Sequence, residues 1–341
     1  MKIAVASGKA GTGKTIVATN LAMVIARSGA TATYLDCDVR EPNGHEFLKP
    51  NITCQGGVEK KVPRVDPAKC QRCGACAALC QFHAIVCLAD GARVYEDLCH
   101  SCGGCALVCP PGAITEAAHP IGVVKTGVAG PLQFVSGTLN QGESVSLPVL
   151  RAIKQAVKQS DWTFMDTPSG TSSPVIEIVR DADFLLLVAE PTPFGLWELR
   201  QDLDLAKTLN LRCGVVINRA LVGHPEARQL CQQARIPVLA EIPDNMAVAE
   251  AYAEGQLAVD VVPGLRRTLA QLLLRLASVA TPYGLPQEMR TNLERSASPG
   301  GEVASPVSQA GKDAPPAVCY LALRNRRPNP DRPQASPAPG K

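Results

Sequence analysis

A chain of 341 residues, 46% hydrophobic and 4% aromatic, with a net charge of +3, has room for one large α/β domain and a smaller one. Its lysines and arginines are scattered without interleaved aromatics, which argues against a nucleic-acid-binding face, and its longest apolar runs, such as FLLLVA, are far too short to span a membrane. Fourteen cysteines, behind an N-terminus with no signal-peptide layout, point to metal or redox chemistry in a reducing cytoplasm and not to a disulfide framework.

In chain order, strands are expected at 3–6 and 33–36, then, past a cysteine-rich stretch, at 164–166, 184–189, 215–218 and 238–242. Helical patterns such as LPVLRAIKQAVKQS and LWELRQDLDLAKTLN lie between the later strands. This alternation predicts βαβ units, hence a mostly parallel sheet with helices on both faces. Residues 121–140 read as a β-hairpin broken at Gly-Pro, and the amphipathic stretch 265–280 as a last core-packing helix. The expected organisation is a first part of the α/β domain over 1–56, a cysteine-rich insertion over 57–118, the rest of the domain over 119–280, and a disordered tail over 281–341. That tail holds eleven of the 28 prolines and lacks apolar periodicity.

The first chemistry lies between the first strand and the first helix. Gly8, Lys9, Ala10, Gly11, Thr12, Gly13, Lys14 and Thr15 fit G-x-x-x-x-G-K-[ST], the phosphate-binding loop, in its required strand–loop–helix context. Glycines let backbone N–H groups curl around phosphates, and the helix start adds its positive dipole end. Lys14 would reach the β- and γ-phosphates, and the Thr15 hydroxyl would hold Mg²⁺. Such a loop needs one lysine; Lys9 is a second.

The insertion repeats itself. CQRCGACAALCQFHAI and CHSCGGCALVCPPGAI agree at every cysteine and at the closing Ala-Ile, each with the spacing C-x₂-C-x₂-C-x₃-C. In this spacing three thiolates come from one tight loop and the fourth serves the other cluster. One [4Fe–4S] cluster is therefore assigned to Cys70, Cys73, Cys76 and Cys109, and a second to Cys99, Cys102, Cys105 and Cys80. A Cys₄ zinc module would use two CxxC pairs and would not need eight cysteines here. Cys37, Cys87, Cys213 and Cys231 lie in apolar or helical runs and are expected to be buried and inert.

These residues carry a resemblance. KAGTGKT resembles the deviant phosphate loop of the MinD/ParA/Mrp and nitrogenase-iron-protein ATPases, whose signature is a second lysine early in the loop. YLDCDVREPN and FMDTPSGTSSP resemble that group's two switch segments, and the whole is similar to MinD-type ATPases with an inserted two-cluster ferredoxin domain. The resemblance implies a P-loop NTPase fold, ATP as nucleotide and an ATP-dependent homodimer in which Lys9 reaches the partner's nucleotide. It further implies that Asp38 positions the attacking water, that Asp166 holds Mg²⁺ and that Asn218 reads the base. Some features depart from the group. Ile16 replaces a usual threonine and Ala10 a glycine, DTPSGTSSP has no cysteine for a subunit-bridging cluster, and no CxxC follows Cys109.

The function expected from these features is ATP binding and hydrolysis coupled to electron transfer through two [4Fe–4S] clusters, with an unidentified redox or protein partner. The alternatives are a ParA/MinD-like partner-binding switch whose clusters sense redox state or stabilise the insertion, and an iron–sulfur assembly factor. No membrane anchor is expected.

Overall fold

The computed structural model describes residues 1–220, 225–280 and 285–298. The chain opens with β1 (Lys2–Ala6), α1 (Lys14–Arg27), β2 (Ala32–Asp36), α2 (Gly44–Leu48) and β3 (Asn51–Val65). The cysteine-rich segment follows with α3 (Ala75–Leu79), β4 (Ile85–Leu88), β5 (Gly91–Val94) and α4 (Gly104–Leu107). The chain then re-enters the main domain through β6 (Ile114–Ala129), β7 (Leu132–Leu139), α5 (Leu147–Ala156), β8 (Trp162–Asp166), α6 (Ser173–Val179), β9 (Phe184–Ala189) and α7 (Pro193–Thr208). It finishes with β10 (Cys213–Ala220), α8 (Glu226–Ala234), β11 (Val238–Pro243), α9 (Met246–Ala253), α10 (Ala258–Val261), α11 (Pro263–Ala280) and α12 (Gln287–Ala297).

Among the described residues, nine strands form one sheet in the order β11-β10-β9-β1-β8-β2-β7-β6-β3. The first seven run parallel; at one edge β6 is added antiparallel to β7, and β3 antiparallel to β6. Apolar side chains cover both faces of the parallel strands. In β1, Ile3 and Val5 join the core under α1 and α11, while Ala4 and Ala6 join the core under α5, α6 and α7. A strand buried on both faces reads as a continuous apolar run, which is why these segments stand out in the sequence. Because the strands are parallel, their carboxyl ends open on one edge, where ligands of such sheets sit.

The β3–β6 pair is much longer than the sheet needs. β7 pairs with β6 only from Gly122 to Ala129, so the outer part, from Glu59 on β3 and up to Pro120 on β6, leaves the sheet as a two-stranded ribbon. A register shift between Val58 and Glu59 marks the departure. Pro120 and Pro63 are tolerated because no third strand needs their missing N–H. The cysteine-rich module is carried at the ribbon's far end.

One expectation requires correction. Residues from 281 onward are not all irregular: α12 is an 11-residue helix with Leu293 fully buried against the core. Asn292 Nδ2 donates to the Ser28 carbonyl at the end of α1, 2.9 Å away. The expectation for 281–284 and 299–341 lies outside the described residues. Leu293→Ala should lower the unfolding free energy by about 2–5 kcal/mol, the usual cost of emptying a buried leucine site. An unchanged urea midpoint would show that α12 contributes nothing to the core.

Candidate functional site

The phosphate-loop sequence forms a tight turn between β1 and α1. Gly11 and Gly13 take left-handed backbone angles (φ 82° and 89°), which only glycine adopts at little cost. A side chain at Gly13 would also collide with Asn218. Around this loop the carboxyl ends of β1, β2, β10 and β11 enclose a cleft of about 310 Å³. Among its lining residues are Lys9, Lys14, Thr15, Asp38, Asn218 and Tyr252.

Two of the expected residues meet directly. Lys14 Nζ and Asp166 Oδ1 are 2.8 Å apart, and both side chains are almost wholly buried. Burial by itself lowers the lysine pKa, but Asp166, with Asp38 and Asp36 behind it, together outweigh it and the net shift is upward. Tyr34, fully buried, donates its hydroxyl to Asp166 Oδ2 at 3.0 Å. Asp36, the first acid of DCD, is also fully buried. It accepts from the Gly44 and Asp38 backbone N–H groups at 2.9 and 3.3 Å and so clasps the loop that carries Asp38. Burial and the neighbouring Asp166 carboxylate push Asp36 up to about 8. Asp38 lines the cleft and is also raised, chiefly by burial, with Lys14 opposing.

Lys9 and Asn218 each have a partner within this chain. Lys9 Nζ pairs with Glu190 Oε2 at 2.8 Å and lies 5.7 Å above the Phe194 ring. Glu190 has a second cation, Arg219, at 2.6 Å. Asn218 Nδ2 donates to the Thr12 carbonyl at 2.7 Å and fastens the phosphate loop to β10. Sequence reasoning missed Glu190, Arg219, Tyr34 and the clasp at Asp36. Glu190 had a visible signal, an acid closing the apolar strand FLLLVA in the same way that Asp166 closes β8.

The cysteine module carries its repeat into the backbone. Arg72 and Ser101, one residue before Cys73 and Cys102, both have φ 56°, and Gly74 and Gly103 just after those cysteines have φ 75° and 71°. His83 and Gly112, three residues past Cys80 and Cys109, match in the same way at φ 51° and 62°. One small cavity is lined by Cys70, Cys73, Cys76 and Cys109, and another, of about 300 Å³, by Cys80, Cys99, Cys102 and Cys105. Backbone N–H groups reach two of the sulfurs, Ser101 to Cys99 at 3.4 Å and Ala113 to Cys109 at 3.3 Å. Four repeat cysteines at each cavity, with amides aimed at sulfur, fit the donor set of an iron–sulfur cluster. Among the described residues no three His, Cys, Asp or Glu side chains are drawn together as a site for a single metal ion. Cys37, Cys213 and Cys231 are buried, but Cys87 is not: it is half-exposed and lines the first cavity beside the expected ligands.

With this geometry in view, residues 3–259 match the model of the CobQ/CobB/MinD/ParA nucleotide-binding domain. The chain belongs to this family. An uncharacterised protein of Methanocaldococcus jannaschii is 27% identical over 264 residues, 75% of this chain and 90% of its own. A Saccharolobus solfataricus protein named as an iron–sulfur cluster carrier is 24% identical over 271 residues, 75% of each chain. The septum site-determining protein MinD of Pyrococcus horikoshii, solved with Mg-ADP, superposes with a TM-score of 0.51 at 18% identity over 82% of this chain and 97% of that one. The fold of this MinD/ParA-family protein is thus the P-loop α/β fold of MinD, with a mostly parallel central sheet.

Behind the loop, α7 presents a second buried acid. Burial and the nearby Glu198 push the Asp202 carboxyl up to about 7, against a hydrogen bond from the Gly8 N–H. The folded state therefore keeps a proton that the unfolded chain releases near the ordinary value of 3.8. The unfolded state binds fewer protons across that window, so stability falls as pH rises from about 4 to about 7. Asp202→Asn should remove this slope, gaining on the parent protein as pH rises, as read from urea midpoints at the two ends. A constant difference between the two proteins would contradict the assignment.

Proposed function

We propose that this protein binds and hydrolyses ATP, dimerises in the ATP-bound state, and couples that state to electron transfer through two [4Fe–4S] clusters held by its cysteine module. The observation that supports it best is the sorting of the eight repeat cysteines, four to each of two cavities, on a module built into the sheet of a nucleotide-binding family. The clusters, when bound, supply one-electron carriers. Cys70, Cys73, Cys76 and Cys109 would hold one, and Cys80, Cys99, Cys102 and Cys105 the other.

At the nucleotide, the work is positioning and charge neutralisation. The backbone of residues 8–15 would wrap the phosphates, Lys14 would turn from Asp166 to the β- and γ-phosphates, and Thr15 with Asp166 would hold Mg²⁺. Tyr34 keeps its grip on the second Asp166 oxygen throughout, so the carboxylate stays aimed. Asp38 would orient the attacking water, and Asn218, now on the Thr12 carbonyl, would read the base. Lys9 would leave Glu190 for the partner's γ-phosphate. Glu190 is not stranded by that departure, because Arg219 remains beside it.

Asp38→Ala should accumulate ATP-bound dimers by light scattering, and adding Lys9→Ala should abolish them; Lys9→Ala alone should slow hydrolysis on the order of 10²–10³-fold. Dimers that persist without Lys9 would refute its role across the interface. Anaerobically prepared protein should carry about eight irons and eight sulfides per chain, and Cys109→Ser should lose the cluster of Cys70, Cys73 and Cys76. Full iron content in that variant would refute the exchanged ligand assignment.

A second reading, delivery of clusters to other proteins, is favoured by the name of the Saccharolobus relative. It predicts transfer of iron and sulfide from this protein to an apo-ferredoxin acceptor, which electron transfer alone does not.

A further inference from the structure

The loop that carries Asp38 and the cysteine module are about thirty residues apart in sequence, yet both lean on the stretch after β7, residues 139–146. On one side the Leu139 N–H donates to the Val39 carbonyl at 2.8 Å, and Arg40 donates to the Ser144 carbonyl at 2.9 Å. Val39 and Arg40 directly follow Asp38, which lines the nucleotide cleft. On the other side the Ser144 hydroxyl donates to the Asp97 carbonyl at 2.6 Å. Asp97 lies in the short 3-10 turn Glu96–Leu98, immediately before Cys99.

Beside this bridge a ladder of polar and charged side chains runs along the ribbon. Lys60, its side chain wholly buried, donates to Glu143 Oε2 at 2.7 Å. Glu143 Oε1 meets His119 Nε2 at 2.6 Å, His119 Nδ1 meets Glu96 Oε2 at 2.7 Å, and Arg64 closes the series on Glu96. Lys60 and His119 face each other across the β3–β6 pair. A buried lysine that loses its carboxylate is left with an uncompensated charge, so Glu143 is held firmly, and Ser144 follows it in the chain.

We propose that Arg40 and Ser144 are positioning residues that transmit nucleotide state from the Asp38 loop to the Cys99 end of the module, with the Lys60–Glu143–His119–Glu96–Arg64 ladder as the stiff mount on which Ser144 sits. The proposal rests on the functional reading above, in which Asp38 acts at the bound ATP and the module holds clusters, and it adds that the Asp38 loop moves with nucleotide. A loop that moves with nucleotide pulls on Ser144 through Arg40 and the Val39 carbonyl. Because the ladder fixes the neighbouring residue, the displacement passes to Asp97 and not into a slack loop. The cavity lined by Cys80, Cys99, Cys102 and Cys105 receives it, and the one lined by Cys70, Cys73, Cys76 and Cys109 does not lie on this route. Coupling of this kind requires a contiguous element with two arrangements that the nucleotide biases, and the Arg40 and Ser144 side-chain hydrogen bonds in the series can each be removed separately.

The test is amide hydrogen exchange of peptides covering 96–105, with and without a non-hydrolysable ATP analogue, in the full-length protein as purified anaerobically. The parent should show a change of roughly five- to tenfold in exchange rate on adding nucleotide, the size of ordinary coupling between sites. Ser144→Ala, which removes only the hydroxyl, and Arg40→Ala should each keep nucleotide binding and iron content but lose most of that change, and Ser144→Thr should restore it. An equal nucleotide-dependent change in the Ser144→Ala and Arg40→Ala proteins would overturn the route, as would a parent module indifferent to bound nucleotide. Because exchange is read on the backbone, these outcomes stand apart from failure of the functional reading. Absence of iron or of nucleotide binding in the parent would report that failure instead.

Discussion

A lysine and an aspartate facing each other at 2.8 Å inside the protein set the terms for everything around them. Neither charge is tolerable alone at that depth, and removing one partner of such a pair typically costs about 3–5 kcal/mol. Lys14 begins α1 and Asp166 ends β8, so the pair can form only if β1 and β8 are neighbours in register, with the phosphate loop folded back over the sheet edge. Tyr34 from β2 and the clasp at Asp36 complete the same edge. The arrangement suits an anionic ligand carrying a divalent cation, since phosphate can take the lysine while the metal takes the aspartate.

The second constraint is mechanical. An insertion on a flexible linker would be blind to events at the nucleotide edge. Here β3 and β6 are strands of the main sheet before they are the stalk of the module, and the segment after β7 is fastened to both the Asp38 loop and the turn before Cys99. Loss of Glu143 is expected to be felt at both ends for the same reason that loss of a buried counter-ion is costly anywhere.

Much of this was legible in the sequence, because it is written locally. The phosphate loop, the acids that close apolar strands and the cysteine spacing each occupy a few consecutive residues, and the parallel sheet announces itself through continuous apolar runs such as FLLLVA. What could not be read depends on partners far apart in the chain. Nothing near Lys9 announced its pairing with Glu190, about 180 residues away, and Asn218 showed no sign of its bond to Thr12. Cys87 read as buried because its strand is apolar, but the two-stranded β4–β5 hairpin is too small to cover both faces, and the thiol turns to the cysteine cavity. Helix α12 escaped because Met289 and Leu293 are its main apolar anchors, a narrow stripe inside a proline- and serine-rich surrounding.

The central claim is that the nucleotide edge and the cysteine module act as one machine. Its most direct test is a potentiometric titration of the clusters, followed by electron paramagnetic resonance, on protein alone and on protein saturated with a non-hydrolysable ATP analogue. The account predicts cluster midpoint potentials or line shapes that differ between the two states. Identical titrations from protein shown to hold both the clusters and the nucleotide would contradict it.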